Sequence, residues 1–375
     1  MRFRKILGLV VSVLLVFWSV DVLAYADVSS FDHDAIMSDV INGKYGLDDL
    51  NDLMLLDETL CIDILSWLDE VSTPIRDVES DYDMVSRQAD YYGRWVVDRP
   101  DLSGNSKYIC KVFMQSDKGG FFSGSGMLIG HSAFMTAAHC AFEPVDVYSE
   151  DGKSVVWSGK TYATSMMVVP SLYYTNVELE EYPDDYEGEK IFYATQTYPL
   201  GWAYCDIDKG YVNEDWRSLN HSYRIADVKY DWAVFPLRSK TSNFLDNGFW
   251  NLRTMDDSSD AGDCGVVNSF GYPAFSYDNA ADGIINLTCN RAPSWKSFMY
   301  GTNLIDCAIL GGMSGGPVFD STGHVVAVNS GVFDSDENKG AVCNITSRIL
   351  YVLHEYCDGA YYDRELGEWQ PYGTP

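Results

Sequence analysis

Most of the chain after residue 100 consists of short hydrophobic runs that Gly, Asn, Asp and Ser separate. The runs are rich in β-branched and aromatic residues, which is typical of β-strands joined by turns. They predict strands at 108–114, 126–130, 132–137, 231–237 and 316–328. The last range predicts a hairpin, because polar turn residues lie between two apolar runs. Many short strands of this kind indicate an antiparallel barrel or sandwich and not an alternating α/β fold.

Helical periodicity precedes and follows the strands. Between residues 27 and 100, acidic residues outnumber basic ones by 18 to 5, and apolar residues recur at helical spacing. These apolar residues are Leu47, Leu50, Leu53, Met54, Ile64, Leu65, Leu68 and Val71. Near the other end, Ile349, Leu350 and Leu353 predict one face of a final helix. Residues 145–228 are rich in Tyr and acids without a clear pattern, so we predict that they are largely a surface insertion.

The first 26 residues have the composition of a secretory signal. Three basic residues precede an apolar run from Ile6 to Val20, and small residues at 24–26 offer a cleavage site. The alternative is an uncleaved membrane anchor, but the run is short for a bilayer and Asp21 ends it. We therefore predict a secreted, extracellular protein that has no stable membrane association after signal removal.

The net charge excludes one class of function, and the cysteine count bears on the role of the acidic segment. The formal net charge of −29 excludes a nucleic-acid binder on electrostatic grounds. Outside the cytoplasm, the nine cysteines would tend to form disulfides, and one of nine must be left over. Cys61 lies apart in the acidic segment, so removal of residues 27–100 would leave eight cysteines that can pair. We predict that this segment is a prosegment, and the alternative is an accessory helical domain.

The stretch GGMSGGPVF (311–319) places one serine among glycines ahead of an apolar strand. Ser314 could be a nucleophile, because a tight glycine turn exposes its hydroxyl and lets backbone N–H groups approach a reacting carbonyl. The alternative is an ordinary Gly-Ser loop. A serine nucleophile needs a base, and His139 in FMTAAHC ends a predicted strand. The alternative for His139 is a structural histidine beside a cysteine.

These two stretches resemble the histidine and serine boxes of the chymotrypsin-like serine peptidases. TAAHC (136–140) is similar to the histidine box, and GMSGGP (312–317) is similar to the serine box. The family's aspartate begins a strand, and YDWAVFPL (230–237) makes Asp231 its counterpart. GMSGG also satisfies the serine elbow of α/β-hydrolases, but that fold places its histidine after the serine and needs a parallel sheet, which no pattern here predicts.

Three further stretches resemble the glutamyl endopeptidase branch of this family: FGYP (270–273), DCAILGGMSGGPVF (306–319) and CNITSRI (343–349). The resemblance implies an all-β fold of two antiparallel β-barrels with a C-terminal helix. The chain would then consist of a signal peptide at 1–26, the acidic helical prosegment at 27–100, the peptidase domain at 101–357 and a tail at 358–375.

The resemblance also implies a role for each site residue. Ser314 would attack the peptide carbonyl and form an acyl-enzyme, His139 would accept and return the proton, and Asp231 would orient His139. The backbone N–H groups of Gly312 and Ser314 would form the oxyanion hole. Such an enzyme needs no metal and no organic cofactor, acts on protein or peptide substrates, and is expected to be a monomer.

The sequence departs from the family at two places. Met313 stands where the trypsin-like branch has an aspartate that binds the new N-terminus. The ion pair that activates that branch therefore cannot form here. By their position, residues 93–100 are the expected processing region. The substrate pocket would include Ala308, Ile309 and Asn329, none of which carries a charge. This departure disfavours selectivity for Glu, Lys or Arg, and we predict a preference for small or apolar side chains.

The sequence also suggests two disulfides and leaves two rival functions open. The family's usual partner position for Cys140, near Gly124, is not a cysteine here, so we expect Cys140 to pair with Cys110. We also expect Cys307 to pair with Cys343, although eight cysteines allow many other connectivities. One rival function is a catalytically silent homologue that binds a partner through the same cleft. The other is an esterase that uses the same three residues on small acyl groups.

Overall fold

The computed structural model describes residues 32–74, 94–96, 105–130, 132–148, 155–178, 192–197, 201–221, 224–241, 244, 252–256, 265–273, 288–292, 295–299, 301–307, 309–333, 336–353, 360–363 and 368–371. The predicted signal peptide lies outside these ranges. Within them, no helix is long and apolar enough to cross a membrane. The chain divides into two compact units, Met1–Ile64 and Leu65–Pro375.

The described residues of the first unit, from Asp32 onward, are mainly helical, as their periodicity predicts. It contains α1 (His33–Ile41), α2 (Leu50–Met54) and the first half of α3 (Glu58–Val71). Asp32 caps α1, because its side chain accepts a hydrogen bond from the Ala35 N–H at 3.1 Å. Of the predicted apolar positions in this range, Leu47, Leu50 and Ile64 are fully buried and Met54 is 2% exposed, whereas Leu53 is half-buried.

The second unit consists mainly of β-strands. Its strands are β1 (Thr73–Pro74), β2 (Arg94–Val96), β3 (Ile109–Ser116), β4 (Phe121–Gly130), β5 (Ala133–Thr136), β6 (Phe142–Tyr148), β7 (Val155–Pro170), β8 (Tyr173–Glu178), β9 (Phe192–Thr197), β10 (Ala203–Cys205), β11 (Tyr211–Val212), β12 (Ala233–Lys240), β13 (Val267–Gly271), β14 (Thr288–Ala292), β15 (Trp295–Met299), β16 (Thr302–Ile305), β17 (Pro317–Phe319), β18 (Val325–Phe333), β19 (Asp336–Asn344), β20 (Ala360–Asp363) and β21 (Glu368–Pro371). Its short helices are α4 (Ala138–Ala141), α5 (Glu214–Arg217), α6 (Ser347–Leu353) and two 3₁₀ helices, Asn105–Tyr108 and Ile225–Tyr230.

Six antiparallel strands close the first barrel, in the order β4, β3, β7, β10, β12, β5 and back to β4. Apolar side chains on both faces of these strands are fully buried, among them Val112, Phe113, Phe134, Met135 and Val168. Each of these six strands pairs with two others of the six, and such closure is how an antiparallel sheet limits exposed backbone donors. The loops at one end of this barrel carry two of the predicted site residues.

The second sheet has eight strands, in the order β15, β16, β19, β18, β17, β13, β14 and β2. Its core contains Val267, Trp295, Leu310, Val318 and Val342. The predicted hairpin is formed by β17 and β18, with Gly323 in the left-handed conformation at φ 86° in the turn. The antiparallel strands and the C-terminal helix α6 confirm the predicted fold class.

The prediction of a surface insertion at 145–228 is wrong in part. This range contains β7 and β10, two of the six strands that close the first barrel. Residues 155–162 of β7 pair with β6, and Met166 to Val169 in its second half are fully buried. The β8–β9 hairpin, by contrast, forms a sheet of its own.

Two short pieces of the predicted prosegment pair with the strands of the second unit. Thr73 and Pro74 pair in parallel with Phe122 and Ser123 of β4. Residues 94–96 pair antiparallel with β14. The acidic N-terminal segment therefore supplies an edge strand to each of the two large sheets.

Candidate active site

His139 and Asp231 lie side by side at one end of the first barrel. His139 lies in α4 just after β5, and Asp231 follows a 3₁₀ helix just before β12. Because β5 and β12 are paired neighbours, the two residues meet. Nδ1 of His139 lies 2.7 Å from Oδ2 of Asp231, and the main-chain N–H of His139 donates to Oδ1 at 2.9 Å. Both side chains are fully buried.

Asp231 has a third polar partner that the sequence reasoning missed. The hydroxyl of Ser330 on β18 donates to Oδ2 of Asp231. A buried carboxylate that accepts several hydrogen bonds is favoured in its charged form. Nothing in the local sequence singles out Ser330, because its partner Asp231 lies 99 positions away along the chain.

Trp216 of α5 packs near the His139 imidazole. The two ring centroids are 6.3 Å apart at an interplanar angle of 47°. Trp216 is fully buried, and its indole N–H donates to the carbonyl of Phe142 at 2.7 Å. A rigid aromatic side chain here keeps water from the pair, and hydrogen bonds are stronger where water is excluded.

The turn that carries Ser314 needs its glycines for close approach of the backbone. A Cβ on Gly315 would lie 2.0 Å from Oγ1 of Thr136, and Gly315 has φ 86°. A Cβ on Gly316 would lie 2.1 Å from the carbonyl oxygen of Phe270. Both distances are far below a normal contact, so any larger residue would push the turn away from the neighbouring strands. This is why Ser314 lies among glycines.

Three hydrogen bonds fix the Ser314 turn against its neighbours. The N–H of Ser125 on β4 donates to the Ser314 carbonyl at 2.8 Å, and the N–H of Gly315 donates to the Asn329 carbonyl at 2.9 Å. The thiol of Cys140, the residue after His139, lies 3.7 Å from the same Ser314 carbonyl. The turn is therefore held beside the helix that carries His139.

The two backbone donors that the sequence analysis assigns to an oxyanion hole are available. Among the described residues, neither the Gly312 N–H nor the Ser314 N–H donates to another group. The hydroxyl of Ser125 donates to the Gly312 carbonyl at 2.7 Å and accepts the Tyr272 N–H at 2.8 Å. Ser125 thereby fixes the peptide group between Gly312 and Met313. Gly312 itself has φ 87°, in the left-handed region. Sequence reasoning missed Ser125, since this contact joins residues 187 positions apart.

The predicted pocket residues are not equally placed. Ala308 lies outside the described residues. Ile309 is buried, and its side chain packs so closely on Gly340 that a Cβ there would lie 2.6 Å from Cγ1 of Ile309. Asn329 is fully buried, and its amide donates to the carbonyls of Phe270 and Met313 and accepts the Ser269 hydroxyl. The Asn329 amide therefore links β18 to β13 and to the turn that carries Ser314.

Met313 is fully buried in the core of the second sheet. Its carbonyl accepts hydrogen bonds from the Gly316 N–H and the Asn329 amide. The residue before Ser314 is thus an apolar core side chain, and it offers no charge to a new N-terminus.

The structure contradicts the expected disulfides, since neither the Cys110 nor the Cys343 sulfur is bonded to another cysteine. A Cβ on Gly124 would lie 3.4 Å from the Cys140 sulfur, so Gly124 is the residue opposite Cys140. Burial raises the pKa of the Cys343 thiol, and the charge of Asp231 raises it further. Cys343 is therefore a neutral thiol next to the buried Asp231.

A protein-family model described as a trypsin-like peptidase domain matches residues 124–328, which is more than half of the chain. The match spans His139, Asp231 and Ser314. No curated protein matches the chain.

Several solved structures are similar to this chain. A glutamyl endopeptidase in complex with MPD is 16% identical with a TM-score of 0.47, and the match covers 70% of this chain and 96% of that one. The protease Anisep from Arthrobacter nicotinovorans is 20% identical with a TM-score of 0.46, covering 70% of this chain and 99% of that one. A thermostable serine protease, AL20, from an extremophilic microorganism is 19% identical with a TM-score of 0.43, covering 67% and 95%.

Proposed function

This chain belongs to the trypsin-like peptidase family, and from that premise we propose that it is a serine endopeptidase whose reacting groups are Ser314, His139 and Asp231. Membership of the family makes it a protease that acts on protein substrates. The finer assignment rests on one observation above all. The buried pair of His139 and Asp231, joined at 2.7 Å, lies beside the glycine turn that carries Ser314.

Each group has a defined task in the proposed acylation step. With Nδ1–H directed at Asp231, Nε2 of His139 is the atom that accepts the proton from the Ser314 hydroxyl. The serine oxygen then forms a bond to the peptide carbonyl, and the C–N bond breaks as His139 passes the proton to the leaving amine. Asp231 keeps the imidazole in the correct tautomer and stabilises its charged form, with Ser330 as a further donor to the carboxylate.

The backbone N–H groups of Gly312 and Ser314 complete the proposed site. They would donate to the oxygen of the tetrahedral intermediate, where loss of one such donor typically lowers kcat about 10² to 10³-fold. In the second half of the reaction, water attacks the acyl-enzyme while His139 acts again as the base. The ester bond to Ser314 breaks, and the enzyme returns to its starting state.

The processing of the chain is part of the same proposal. We propose that residues 1–26 direct secretion and that residues 27–100 are made as a prosegment, with the peptidase domain at 101–357 and a tail at 358–375. A cut near residues 93–100 would not activate the enzyme through an ion pair to the residue before the nucleophile, because Met313 is a buried apolar side chain.

The proposed substrate preference is for small or apolar residues before the cleaved bond. Ile309 fills space against Gly340, and the polar atoms of Asn329 are hydrogen-bonded to the backbone and to Ser269. Neither residue offers a charge to a substrate. A charged substrate side chain would therefore lose its hydration without gaining a partner from them.

A fluorophosphonate probe tests the function directly. We expect the phosphorus to bond to Oγ of Ser314 as fluoride leaves, with the proton taken up by His139. Mass spectrometry of the labelled, secreted protein should locate the adduct on Ser314, and it should vanish in Ser314→Ala. The N-terminus found in the same experiment reports the processing site.

The same preparations report the reaction class. Wild type should cut a mixed peptide library after small or apolar residues, and Ser314→Ala should not. Cleavage after Glu, Lys or Arg would contradict the proposed pocket. Hydrolysis of small esters without cleavage of peptides would indicate an esterase. A folded wild type that takes no probe would indicate a silent homologue that binds its partner.

Removal of the Ser125 hydroxyl should slow catalysis without weakening substrate binding. We propose that Ser125 is a positioning residue, since it holds the Gly312 carbonyl at 2.7 Å. In Ser125→Ala, the peptide after Gly312 is released and the oxyanion donors lose alignment. We expect kcat to fall about 10 to 100-fold, no more than for the loss of one donor, with KM changed less than about twofold. Steady-state kinetics on a peptide substrate measure both.

Two variants separate positioning from stability. Ser125→Ala also leaves the buried Tyr272 N–H without its acceptor, which lowers the free energy of unfolding by about 1 to 3 kcal/mol. Ser125→Thr keeps the hydroxyl and should recover most of kcat. Ser123→Ala, two residues earlier on the same strand, should leave kcat unchanged. Equal losses in kcat for Ser123→Ala and Ser125→Ala would refute the positioning role.

A further inference from the structure

A lysine is buried in the wall of the first barrel. Lys111 lies on β3 between Cys110 and Val112, and only 1% of the residue is exposed. Its Nζ forms an ion pair with the Oδ1 atom of Asp69, whose side chain is 9% exposed. Burial of a lone ammonium is very costly, because the charge loses its hydration. Lys111 is thus tolerated in the barrel only with its partner.

The partner comes from the segment that the sequence analysis assigns to the prosegment. Asp69 lies in the last turn of α3, within residues 65–74, which we term the anchor segment. This segment belongs to the same compact unit as the barrel. Leu65 and Leu68 of the anchor segment are fully buried.

Two other contacts join the anchor segment to the barrel. The ring of Trp67 meets that of Phe121 edge to face, with centroids 5.3 Å apart. Thr73 and Pro74 then extend the barrel sheet as a parallel edge strand beside β4. The end of α3, the Trp67 ring and the strand β1 therefore contact the neighbouring strands β3 and β4 of the barrel.

No other acidic side chain among the described residues forms an ion pair with Lys111. The Phe113 ring lies 5.5 Å from Nζ. Tyr272, which the charge of Asp69 reaches, and Cys110 are uncharged, because burial raises the pKa of each group. If the anchor segment left, Lys111 would remain without a counter-charge. Removing one partner of a buried pair is far more harmful than never having built the pair.

We propose that the anchor segment is a permanent part of the folded enzyme, so that a processing cut after it yields a two-chain protein that retains residues 65–74. Residues 65–74 of the proposed prosegment would then stay with the first barrel after the cut instead of being released. This inference goes beyond the proposed catalytic function and does not depend on it, since it concerns only the wall of the barrel.

An engineered cut tests retention without relying on natural processing. A recognition site for a sequence-specific protease is inserted between residues 80 and 90 of the full chain with Ser314→Ala, and the folded protein is cleaved. We expect the N-terminal fragment to co-elute with the remainder in native size-exclusion chromatography and to separate only in guanidinium chloride. Release of the fragment in native buffer from a remainder that stays folded would overturn the proposal.

Variants of the ion pair test the cause of retention. Asp69→Asn keeps the shape and removes the counter-charge, so we expect the affinity of the cut fragment to fall about 100-fold or more. Adding Lys111→Met should restore most of that loss, because no buried charge remains. Asp39→Asn is the matched control, since Asp39 pairs with Lys44 on an exposed surface and should change the affinity less than about threefold.

The outcomes distinguish the ion pair from general packing. If Asp69→Asn does not fold as an intact chain while the double variant folds and keeps its fragment, the counter-charge role is supported equally. Equal affinities for Asp69→Asn and Asp39→Asn would overturn that role. Loss of the fragment in both Asp69→Asn and the double variant would also overturn it, because the neutral pair should then have restored binding.

Discussion

Replacement of His139 by alanine should reduce kcat/KM by roughly four to six orders of magnitude, the range expected when the base of such a site is lost. Without the imidazole, nothing accepts the proton of the Ser314 hydroxyl, and the hydroxyl is a poor nucleophile at neutral pH. Cleavage of a fluorogenic peptide measures the loss, and the rate of fluorophosphonate labelling should fall in parallel.

The matched control is His324→Ala. His324 lies in the β17–β18 turn after Ser314, where its Nδ1 is 2.7 Å from the Thr322 hydroxyl. It is the described histidine that an α/β-hydrolase order would select, because that fold places its base after the nucleophile. We expect its loss to change kcat/KM less than about threefold, as for a surface turn. A large loss in His324→Ala with activity retained in His139→Ala would reverse the assignment.

The prediction of the candidate site rests on short local patterns in the sequence. His139, Asp231 and Ser314 each lie at a strand end or in a glycine turn, where a few neighbouring residues determine the backbone. The structure joins His139 to Asp231 directly. The predicted strands at 108–114 and 231–237 correspond to β3 and β12, because both are runs of apolar residues that enter a core.

The parts that sequence reasoning missed depend on contacts between distant segments. Ser125 and Ser330 are small hydroxyl residues, and only their partners 187 and 99 positions away distinguish them from other serines. The strand β7 was missed because its apolar residues at each end are separated by the polar and small residues SGKTYATS, which break the pattern of one continuous strand. A strand of two residues such as β1 has no periodicity to detect.

The burial of Lys111 also could not be predicted from the sequence, because it depends on an ion pair with a distant residue. Within the apolar run YICKVFM, a lysine would ordinarily be expected to face solvent. Its burial becomes understandable only with Asp69, which lies 42 positions earlier in a segment of different composition and periodicity. Sequence patterns report burial along one element, whereas the pairing of two charges requires the packed arrangement of both.

Replacement of Asp231 by asparagine should lower kcat about 10⁴-fold while leaving the fold intact. Asparagine has the shape of aspartate, and its Oδ1 can still accept the main-chain N–H of His139. Its amide nitrogen, however, would face Nδ1 of His139 as a donor. The imidazole would then carry its proton on Nε2, the atom that must accept the proton from Ser314. Stopped-assay kinetics with a peptide substrate measure the loss.

Asp227→Asn provides the control for this change. Asp227 lies in the 3₁₀ helix that precedes Asp231, is 8% exposed, and has Oδ2 3.7 Å from Nδ1 of His221. The same chemical change at similar burial should leave kcat within about threefold, because no reacting group depends on that carboxylate. A loss of less than tenfold in Asp231→Asn, with the variant folded, would mean that the carboxylate holds His139 in place but does not determine its tautomer. In that case the hydrogen bond from the His139 main chain would be the part of the contact that matters.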